Sequence, residues 1–147
     1  MNTETEIRII THGSDEYREE LELRNRILRI PLGLDVYKDD LSNEIMDIHI
    51  GAFSGGALTG VLVLTILNDH EIKMRQVAVD AELQGKGIGR KLVEFSEQMA
   101  RDMGFPKMTM HARLEAIPFY EKLGYSKAGE QFTEVTIPHF KLEKTIA

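Results

Sequence analysis

Residues 74–90 read MRQVAVDAELQGKGIGR, and this stretch decides the fold: a short β-type run leads through alternating glycines into a helix. The glycines are Gly85, Gly87 and Gly89. They leave backbone N–H groups uncovered just before a helix N-terminus, where unpaired donors and the helix dipole favour an anion. A bare helix favours acidic residues in its first turn, but this region is basic in a chain of net charge -6. The basic residues are Lys86, Arg90 and Lys91. The segment therefore predicts a phosphate-binding loop.

Two other phosphate-loop motifs fit this segment poorly. A nucleotide P-loop requires Ser or Thr directly after its Gly-Lys pair, but glycine follows Lys86. The dinucleotide fingerprint Gly-x-Gly-x-x-Gly requires a third glycine where Arg90 stands, and it follows a parallel strand that the pattern does not indicate. The first motif is excluded and the second is weakly supported.

Length and composition predict a single domain over residues 1–147. The chain is 42% hydrophobic and 29% charged, which is enough apolar material for one core. It has no cysteine, which excludes disulfides, cysteine-ligated metals and a thiol nucleophile. A pI of about 5.4 argues against a general nucleic-acid binder, so we expect no nucleic-acid partner.

We also expect no membrane partner. No stretch approaches the roughly 18 to 20 apolar residues of a membrane helix. The N-terminal segment MNTETEIRIITHG lacks the charged-then-apolar order of a signal peptide. These observations predict a cytoplasmic protein.

Turn residues and apolar periodicity predict an α/β fold with a mixed sheet. The predicted strands span residues 6–11, 44–53, 57–67, 71–80, 106–113, 125–132 and 138–144. The predicted helices span residues 15–30, 88–103 and 116–123. The second, third and fourth strands should form an antiparallel meander. The helix between the fourth and fifth strands should make those two strands parallel neighbours through a right-handed crossover.

The glycine segment further resembles the acyl-CoA-binding motif of the GNAT superfamily of N-acetyltransferases. Its signature Gln/Arg-x-x-Gly-x-Gly/Ala is met by Gln84, Gly87 and Gly89. The resemblance extends to RQVAVD before the loop, to the helix GRKLVEFSEQMARDMGF and to the block ARLEAIPFYEKLGY, in the family's order and spacing. The tail EQFTEVTIPHFKLEK resembles a subset whose last strand carries Pro-His, here Pro138 and His139.

The resemblance implies the acyl-CoA N-acyltransferase fold: a mixed, mostly antiparallel sheet with a central splayed parallel pair, flanked by helices. It also implies acetyl-CoA as the acetyl donor and no metal. The pyrophosphate would lie against the glycine-loop amides, the pantetheine arm would run along the preceding strand, and the amide of Val77 would stabilise the thioester oxyanion. The implied donor-binding residues are Val77, Ala78, Val79, Gln84, Gly85, Lys86, Gly87, Ile88, Gly89 and Arg90.

For the chemical step, the resemblance implies that Tyr120 protonates the departing thiolate. A phenol of pKa about 10 can protonate a thiolate whose conjugate acid has a pKa of about 8.5 when the two are in line and shielded from water. The general base is left open among His49, His111, Glu134 and His139, and His139 is taken as the catalytic candidate. No helical or turn spacing brings two of the histidines together with an acid, so a metal site is not expected.

Two groups of arginines have open roles. Many family members carry asparagine seven residues before the tyrosine, where this chain has Arg113, so the usual pantetheine contact is in doubt. Arg113 either reaches a CoA phosphate or pairs with Glu115. The first predicted helix carries several arginines, interpreted as solvated or as lining a substrate site rimmed by the loop 31–40. They are Arg18, Arg24, Arg26 and Arg29.

The interpretation is an N-acetyltransferase that moves acetyl directly to a small-molecule amine bound between the first helix and the sheet. Two alternatives stay open: a non-catalytic acyl-CoA-binding or sensor domain of the same fold, and a protein lysine or N-terminal acetyltransferase. A homodimer is compatible with this superfamily. The sequence does not identify the acceptor amine.

Overall fold

β-strands and α-helices follow the chain in the order β1 α1 β2 β3 β4 α2 β5 α3 β6 β7 β8 in the computed structural model, which describes residues 4–147. The strands are β1 Thr5–Ile10, β2 Ile48–Ser54, β3 Ala57–Ile66, β4 Glu71–Val79, β5 Lys107–Arg113, β6 Ser126–Lys127, β7 Phe132–Glu134 and β8 Ile137–Thr145. The helices are α1 Asp15–Arg24, α2 Ile88–Asp102 and α3 Ile117–Lys122. Residues 1–3, the start of the segment for which no signal peptide is predicted, lie outside the described residues.

The chain divides into two compact units, and β4 and α2 contribute residues to both. The first unit consists of the residues up to Thr65 together with Gln76–Ser96. The second consists of Ile66–Arg75 together with Glu97–Ala147. The single domain over residues 1–147 stays a prediction.

In the first unit, β1, β2 and β3 pair antiparallel in that order. β1 pairs with β2 from Thr5↔Ser54 to Ile10↔His49. β2 turns into β3 at Gly55 and Gly56, whose φ angles of 60° and 84° suit a two-residue hairpin. The second half of β4 lies beside β3, where the amide of Asp80 donates a hydrogen bond of 2.8 Å to the carbonyl oxygen of Thr59. A buried apolar cluster holds this unit together: Ile10, Tyr17, Leu21, Leu23, Val36, Phe53, Val61 and Ala78.

In the second unit, the first half of β4 pairs in parallel with β5, as predicted from the strand–helix–strand order. The paired residues run from Glu71↔Lys107 to Met74↔Met110, and both strands continue beyond them. β5 pairs antiparallel with β8, and β6 and β7 also pair antiparallel with β8. The predicted α/β fold class, with a mixed, mostly antiparallel sheet that includes one parallel pair and is flanked by helices, is confirmed.

The first helix is shorter than predicted. Ser14 caps α1, because its hydroxyl oxygen accepts a hydrogen bond of 3.2 Å from the amide of Tyr17. The α-helix ends at Arg24, and the chain continues as a π-helical turn, Asn25–Arg29, and a 3-10 turn, Ile30–Leu32. The prediction of one helix over residues 15–30 is therefore wrong after Arg24, since apolar spacing alone does not separate a widened turn from an α-helical one.

Two predicted strands also needed correction. The strand predicted from residue 44 begins only at Ile48, because Glu44–Met46 forms a 3-10 turn. The strand predicted over residues 125–132 is replaced by the short strands β6 and β7. β7 turns into β8 through Val135 and Thr136, whose φ angles of 43° and 69° fit a tight hairpin.

None of the helices in the described part of the chain combines the length and apolar character needed to cross a bilayer.

Candidate active site

The segment that follows β4 is held by two side-chain contacts. Asp80 Oδ1 accepts a hydrogen bond of 3.1 Å from the amide of Glu82 and so caps the 3-10 turn Ala81–Leu83. Gln84 Nε2 donates a hydrogen bond of 3.1 Å to the carbonyl oxygen of Val79. Gln84, the first residue of the matched signature, therefore ties the glycine loop to the end of β4.

The glycine loop takes a conformation that side chains rarely adopt. Gly85 and Gly87 have φ angles of 81° and 86°, and both are exposed. A Cβ atom added to either would meet nothing within 4 Å, so open space lies in front of both. α2 begins directly afterwards at Ile88, and the first N–H groups of a helix have no intrahelical acceptor. This geometry suits an anion with several oxygens.

The charges around the loop favour the same ligand class. The first turn of α2 contains no acidic residue. Lys86 is exposed and makes no ion pair within the described residues 4–147. Arg90 Nε lies 2.7 Å from Glu94 Oε1, one turn along the helix. Of the two predicted phosphate-binding cations, Lys86 is thus available, and Arg90 would have to leave Glu94.

Gly60 on β3 positions the start of α2, a role the sequence analysis missed. A Cβ atom at Gly60 would lie 2.9 Å from Leu92 Cδ1, 3.0 Å from Ile88 Cγ2 and 3.4 Å from the carbonyl oxygen of Ala78. The absence of a side chain lets the first turns of α2 lie directly on β3 and β4. An isolated glycine inside an apolar strand often marks a close approach of another element, so the position of Gly60 in the sequence was a usable signal for this contact.

Backbone strain marks the stretch of β4 predicted to bind the pantetheine arm. Gln76 has a φ of 55°, and its buried Oε1 has no hydrogen-bond partner among the described residues. Val77 and Val79 are half-buried, and Ala78 is buried. A non-glycine residue at positive φ is uncommon, and such outliers concentrate at functional sites. Nothing in the sequence indicated this conformation.

The arginines of the first helical segment do not form one solvated set. Arg18 is exposed and pairs with Asp15. Arg26 is also exposed, with Nη1 lying 3.6 Å from Asp80 Oδ2 at the end of β4. Arg29 is buried and its Nε donates a hydrogen bond of 3.0 Å to Asp39 Oδ2, which anchors the predicted rim loop 31–40. The solvated interpretation is therefore wrong for Arg29, and also for the buried Arg24.

Arg24 is the centre of a buried ionic network in the first unit. It donates to Glu20 Oε2 at 2.9 Å and to both oxygens of Glu44 at 2.8 and 2.7 Å. His49 Nδ1 lies 2.9 Å from Glu20 Oε2, and its Nε2 lies 2.8 Å from the carbonyl oxygen of Glu44. Tyr17 donates its hydroxyl to Glu44 Oε1 at 2.7 Å. The network ties α1 to β2 and to the turn that precedes β2.

Both ring nitrogens of His49 face acceptor oxygens, so both must carry a proton. Burial disfavours the charged ring, but the hydrogen bond and charge of Glu20, together with Glu44, outweigh it and raise the pKa of His49. Burial likewise disfavours the Glu44 carboxylate, but its bonds with Arg24 outweigh that effect and lower its pKa. Two cations therefore neutralise two carboxylates.

The same network contains a group that could be considered for a metal. Ligand atoms of Glu20, Glu44 and His49 all lie within 4.8 Å of one another. Arg24 occupies the carboxylates, however, and both nitrogens of His49 are engaged. A metal ion would have to displace a buried guanidinium, so the donor set does not suit one.

In the second unit, Tyr120 is buried on α3 with its hydroxyl uncommitted. Its ring packs edge-on against Phe119 at 5.0 Å and Tyr125 at 6.0 Å. Tyr125 donates its hydroxyl to Glu97 Oε2 at 2.7 Å, whereas no hydrogen bond within residues 4–147 involves the hydroxyl of Tyr120. Burial raises the pKa of Tyr120, which keeps the phenol protonated and able to donate.

The four predicted base candidates fall into two places. His49 lies in the ionic network of the first unit. In the second unit, the other three candidates come together with Lys73: His111 Nδ1 lies 3.0 Å from Glu134 Oε1, and His139 Nε2 lies 3.8 Å from Glu134 Oε2. The sequence did not indicate this grouping. His139 itself is buried, and its Nδ1 donates to the carbonyl oxygen of Ile137 at 2.9 Å.

A family model described as "Acetyltransferase (GNAT) family" matches residues 14–125, from the cap of α1 to the end of the Tyr120 block. The chain belongs to the GNAT acetyltransferase family. The predicted resemblance is thereby confirmed, although the Pro-His subset stays a prediction.

Known acetyltransferases and acyltransferases resemble this chain in sequence or in fold. Human N-acetyltransferase 8B is 33% identical over 72 residues, which are 47% of this chain and 32% of that protein. The chain spans at most 65% of the length of the curated relatives considered. An acyl-CoA N-acyltransferase from Pseudomonas aeruginosa superposes with a TM-score of 0.81 at 17% identity over 98% of this chain and 100% of that chain.

A GNAT acetyltransferase from Elizabethkingia anophelis, solved with acetyl-CoA bound, superposes with a TM-score of 0.76 at 16% identity over 96% of this chain and 97% of that chain. At these identities the two structures establish the GNAT fold alone.

Proposed function

We propose that this protein is an acetyl-CoA-dependent N-acetyltransferase that moves the acetyl group directly to an amine. The observation that carries the proposal is the glycine loop: Gly85 and Gly87 have φ angles of 81° and 86° with open space before them, directly ahead of α2. Membership of the GNAT family supports an acyl-CoA as the ligand of this loop. Such a donor is consistent with a cytoplasmic location.

The donor is assigned to the loop and to the second half of β4. The pyrophosphate oxygens accept hydrogen bonds from the amides between Gly85 and Gly89, and the exposed Lys86 supplies a charge-assisted contact. Arg90 also contacts the pyrophosphate once its side chain leaves Glu94. The pantetheine arm follows Val77–Val79, directly after the strained Gln76.

The chemistry assigns polarisation to the backbone and proton donation to Tyr120. The amide of Val77 stabilises negative charge that develops on the thioester oxygen. The acceptor nitrogen forms the new C–N bond, the C–S bond breaks, and the thiolate takes its proton from Tyr120. The chain has no cysteine that could hold the acetyl group in between, which fits direct transfer.

The acceptor side is assigned to the first helical segment. Asn25–Arg29 forms a π-helical turn, a geometry that is frequent at functional sites. Asn25 Oδ1 accepts a hydrogen bond of 2.8 Å from the amide of Val36, and Arg29 holds Asp39, so this turn fixes the loop 31–40. We propose that a small-molecule amine binds beside this turn.

The test is thiol release from acetyl-CoA, screened against amines, amino acids, polyamines, aminosugars and peptides. We expect release with at least one class of small amine. Activity with peptides alone would show that the acceptor is a protein lysine or N-terminus and not a small-molecule amine. Tight acetyl-CoA binding without transfer to any acceptor would contradict the proposed acetyltransferase activity and favour an acyl-CoA sensor.

A further inference from the structure

Four polar side chains from four strands meet in the second unit without a role in the proposed donor site. Lys73 lies on β4, His111 on β5, Glu134 on β7 and His139 on β8. Lys73 Nζ lies 3.3 Å from His111 Nδ1, which in turn lies 3.0 Å from Glu134 Oε1. The hairpin of β7 and β8 brings Glu134 to His111, which lies 23 positions earlier in the chain.

Glu134 Oε1 lies within hydrogen-bond distance of His111 Nδ1 and can orient the ring. When Nδ1 carries the proton, the carboxylate accepts its hydrogen bond, and the lone pair of the neutral ring lies on Nε2. Phe132 packs edge-on against the ring, with 4.8 Å between the ring centroids and an angle of 72°. No hydrogen bond among residues 4–147 involves Nε2, and 30% of the His111 side chain is exposed. A carboxylate–imidazole pair with its second nitrogen free is the arrangement of a general base.

Lys73 adds a competing partner at the same nitrogen. Nδ1 cannot donate to Glu134 and accept from the Lys73 ammonium at once. Burial, together with the charges of Arg75 and Lys141, lowers the pKa of Lys73 against the opposing charge of Glu134. Glu134 Oε1 is the nearer partner of Nδ1, at 3.0 Å against 3.3 Å for Lys73 Nζ. Burial disfavours the Glu134 carboxylate, but the hydrogen bond with His111 and the cations around it lower its pKa, so it stays ionised.

The other base candidates are less suited. His49 has both ring nitrogens bound and is 1% exposed. His139 Nδ1 is hydrogen-bonded to the carbonyl oxygen of Ile137, and only 4% of the His139 side chain is exposed. Glu134 is exposed, but a carboxylate that stays ionised is a weak proton acceptor.

We propose that His111 is the proton acceptor for the amine substrate and that Glu134 is the residue that positions it. This inference rests on the proposed function. His111 on β5 and Tyr120 on α3 both belong to the second unit. His111 Nε2 takes a proton from the acceptor ammonium as its N–H bond breaks. The freed lone pair forms the C–N bond to the acetyl group, and the C–S electrons leave with the thiolate, which Tyr120 protonates. The nitrogen loses its second proton to water as the amide forms, and Tyr120 regains its proton from water.

The test compares His111→Gln with the matched control His70→Gln. His70 lies in an exposed turn, where its backbone amide bonds to Asn68. With an amine that is protonated at pH 7, His111→Gln should lower kcat by about 100-fold or more, while the control stays at the wild-type rate. The acidic limb of the wild-type pH profile should also disappear in His111→Gln.

A second acceptor separates proton removal from structural damage. Hydroxylamine is largely unprotonated at pH 7, so His111→Gln should slow its acetylation, measured above the uncatalysed rate, by only about 5-fold or less. Equal losses with both acceptors would overturn the base assignment, as would an unchanged kcat with the protonated amine.

The positioning role has its own readout, which does not depend on turnover. In nitrogen NMR of wild-type protein, the neutral His111 ring should carry its proton on Nδ1, and Glu134→Gln should shift this tautomer balance. No change in the balance would overturn the role of Glu134. Wild-type protein that transfers acetyl to no amine would instead refute the proposed function, whereas active wild type with fully active His111→Gln refutes only this inference.

Discussion

Replacing Gly87 by alanine tests the glycine loop with a matched control elsewhere in the chain. Gly87 and Gly129 have φ angles of 86° and 90°, and a Cβ atom would meet nothing within 4 Å at either position. Both substitutions therefore impose the same left-handed strain of about 1–2 kcal/mol without a steric clash. Their effects on the free energy of unfolding should be similar.

Their effects on the donor should differ. At Gly87 the new methyl group enters the space assigned to the pyrophosphate, and relief of the strain turns the loop amides away. Losing one hydrogen bond to a charged oxygen costs about 1.5–3 kcal/mol. The Kd for acetyl-CoA should therefore rise about 10- to 150-fold in Gly87→Ala and stay unchanged in Gly129→Ala.

The assay is isothermal titration of each variant with acetyl-CoA, alongside urea unfolding of the free proteins. The urea data measure the stability loss of each variant, so the effect of the backbone strain can be separated from the change in Kd. Equal Kd values for Gly87→Ala and Gly129→Ala would refute the assignment of the pyrophosphate to this loop. A larger stability loss at Gly87 would instead show that the loop packs more tightly than the structure describes.

Three further predictions concern the ionic network and the proton donor. Arg24→Met leaves the buried Glu44 carboxylate without its cation, so urea unfolding should show a loss of about 3–5 kcal/mol, against about 0.5 kcal/mol or less for the exposed Arg18→Met; similar losses would contradict a neutralising role. The raised pKa of His49 means that its protonated form stabilises the fold below the unfolded value of about 6.5, and this contribution is lost as pH rises through the folded value. The urea midpoint should therefore fall as pH rises above about 6.5 and fall less in His49→Gln, and parallel falls would exclude His49 as the cause. Tyr120→Phe should lower kcat by about 100-fold with an unchanged Kd for acetyl-CoA, and an unchanged kcat would remove the donor assignment.

The glycine loop could be predicted because its signals are local. Gln84, the alternating glycines and the apolar stripe of α2 lie within one short stretch, and the strand–loop–helix order follows from residues that are neighbours in the chain. The Gly55–Gly56 hairpin and the Ser14 cap were predictable for the same reason. Each depends on backbone preferences within a few positions.

The polar clusters were not predictable, because they depend on tertiary packing. Glu20 and His49 lie 29 positions apart, and only the pairing of β1 with β2 and the packing of α1 bring them together. On sequence, Arg24 looked like one of several surface cations, yet it is 1% exposed. No local pattern distinguishes a buried arginine whose partners come from elsewhere in the chain.

The grouping of the proton-acceptor candidates also depends on tertiary packing and was therefore not predictable. The sequence supplied His111, Glu134 and His139 as separate residues in β-type runs. The register of β5, β7 and β8 decides which of their atoms meet, and the tight turn at Val135 and Thr136 was not predicted. The positive φ of Gln76 likewise has no signal in composition or periodicity.

The most direct test of the central claim is the stability of the protein in acetyl-CoA, measured by urea unfolding. A ligand that binds only the folded state adds about 2.7 kcal/mol at 100 times its Kd. We predict this gain with acetyl-CoA and a clearly smaller gain with pantetheine at the same concentration, because pantetheine lacks the pyrophosphate assigned to the glycine loop. An unfolding curve that does not move at saturating acetyl-CoA would contradict the account.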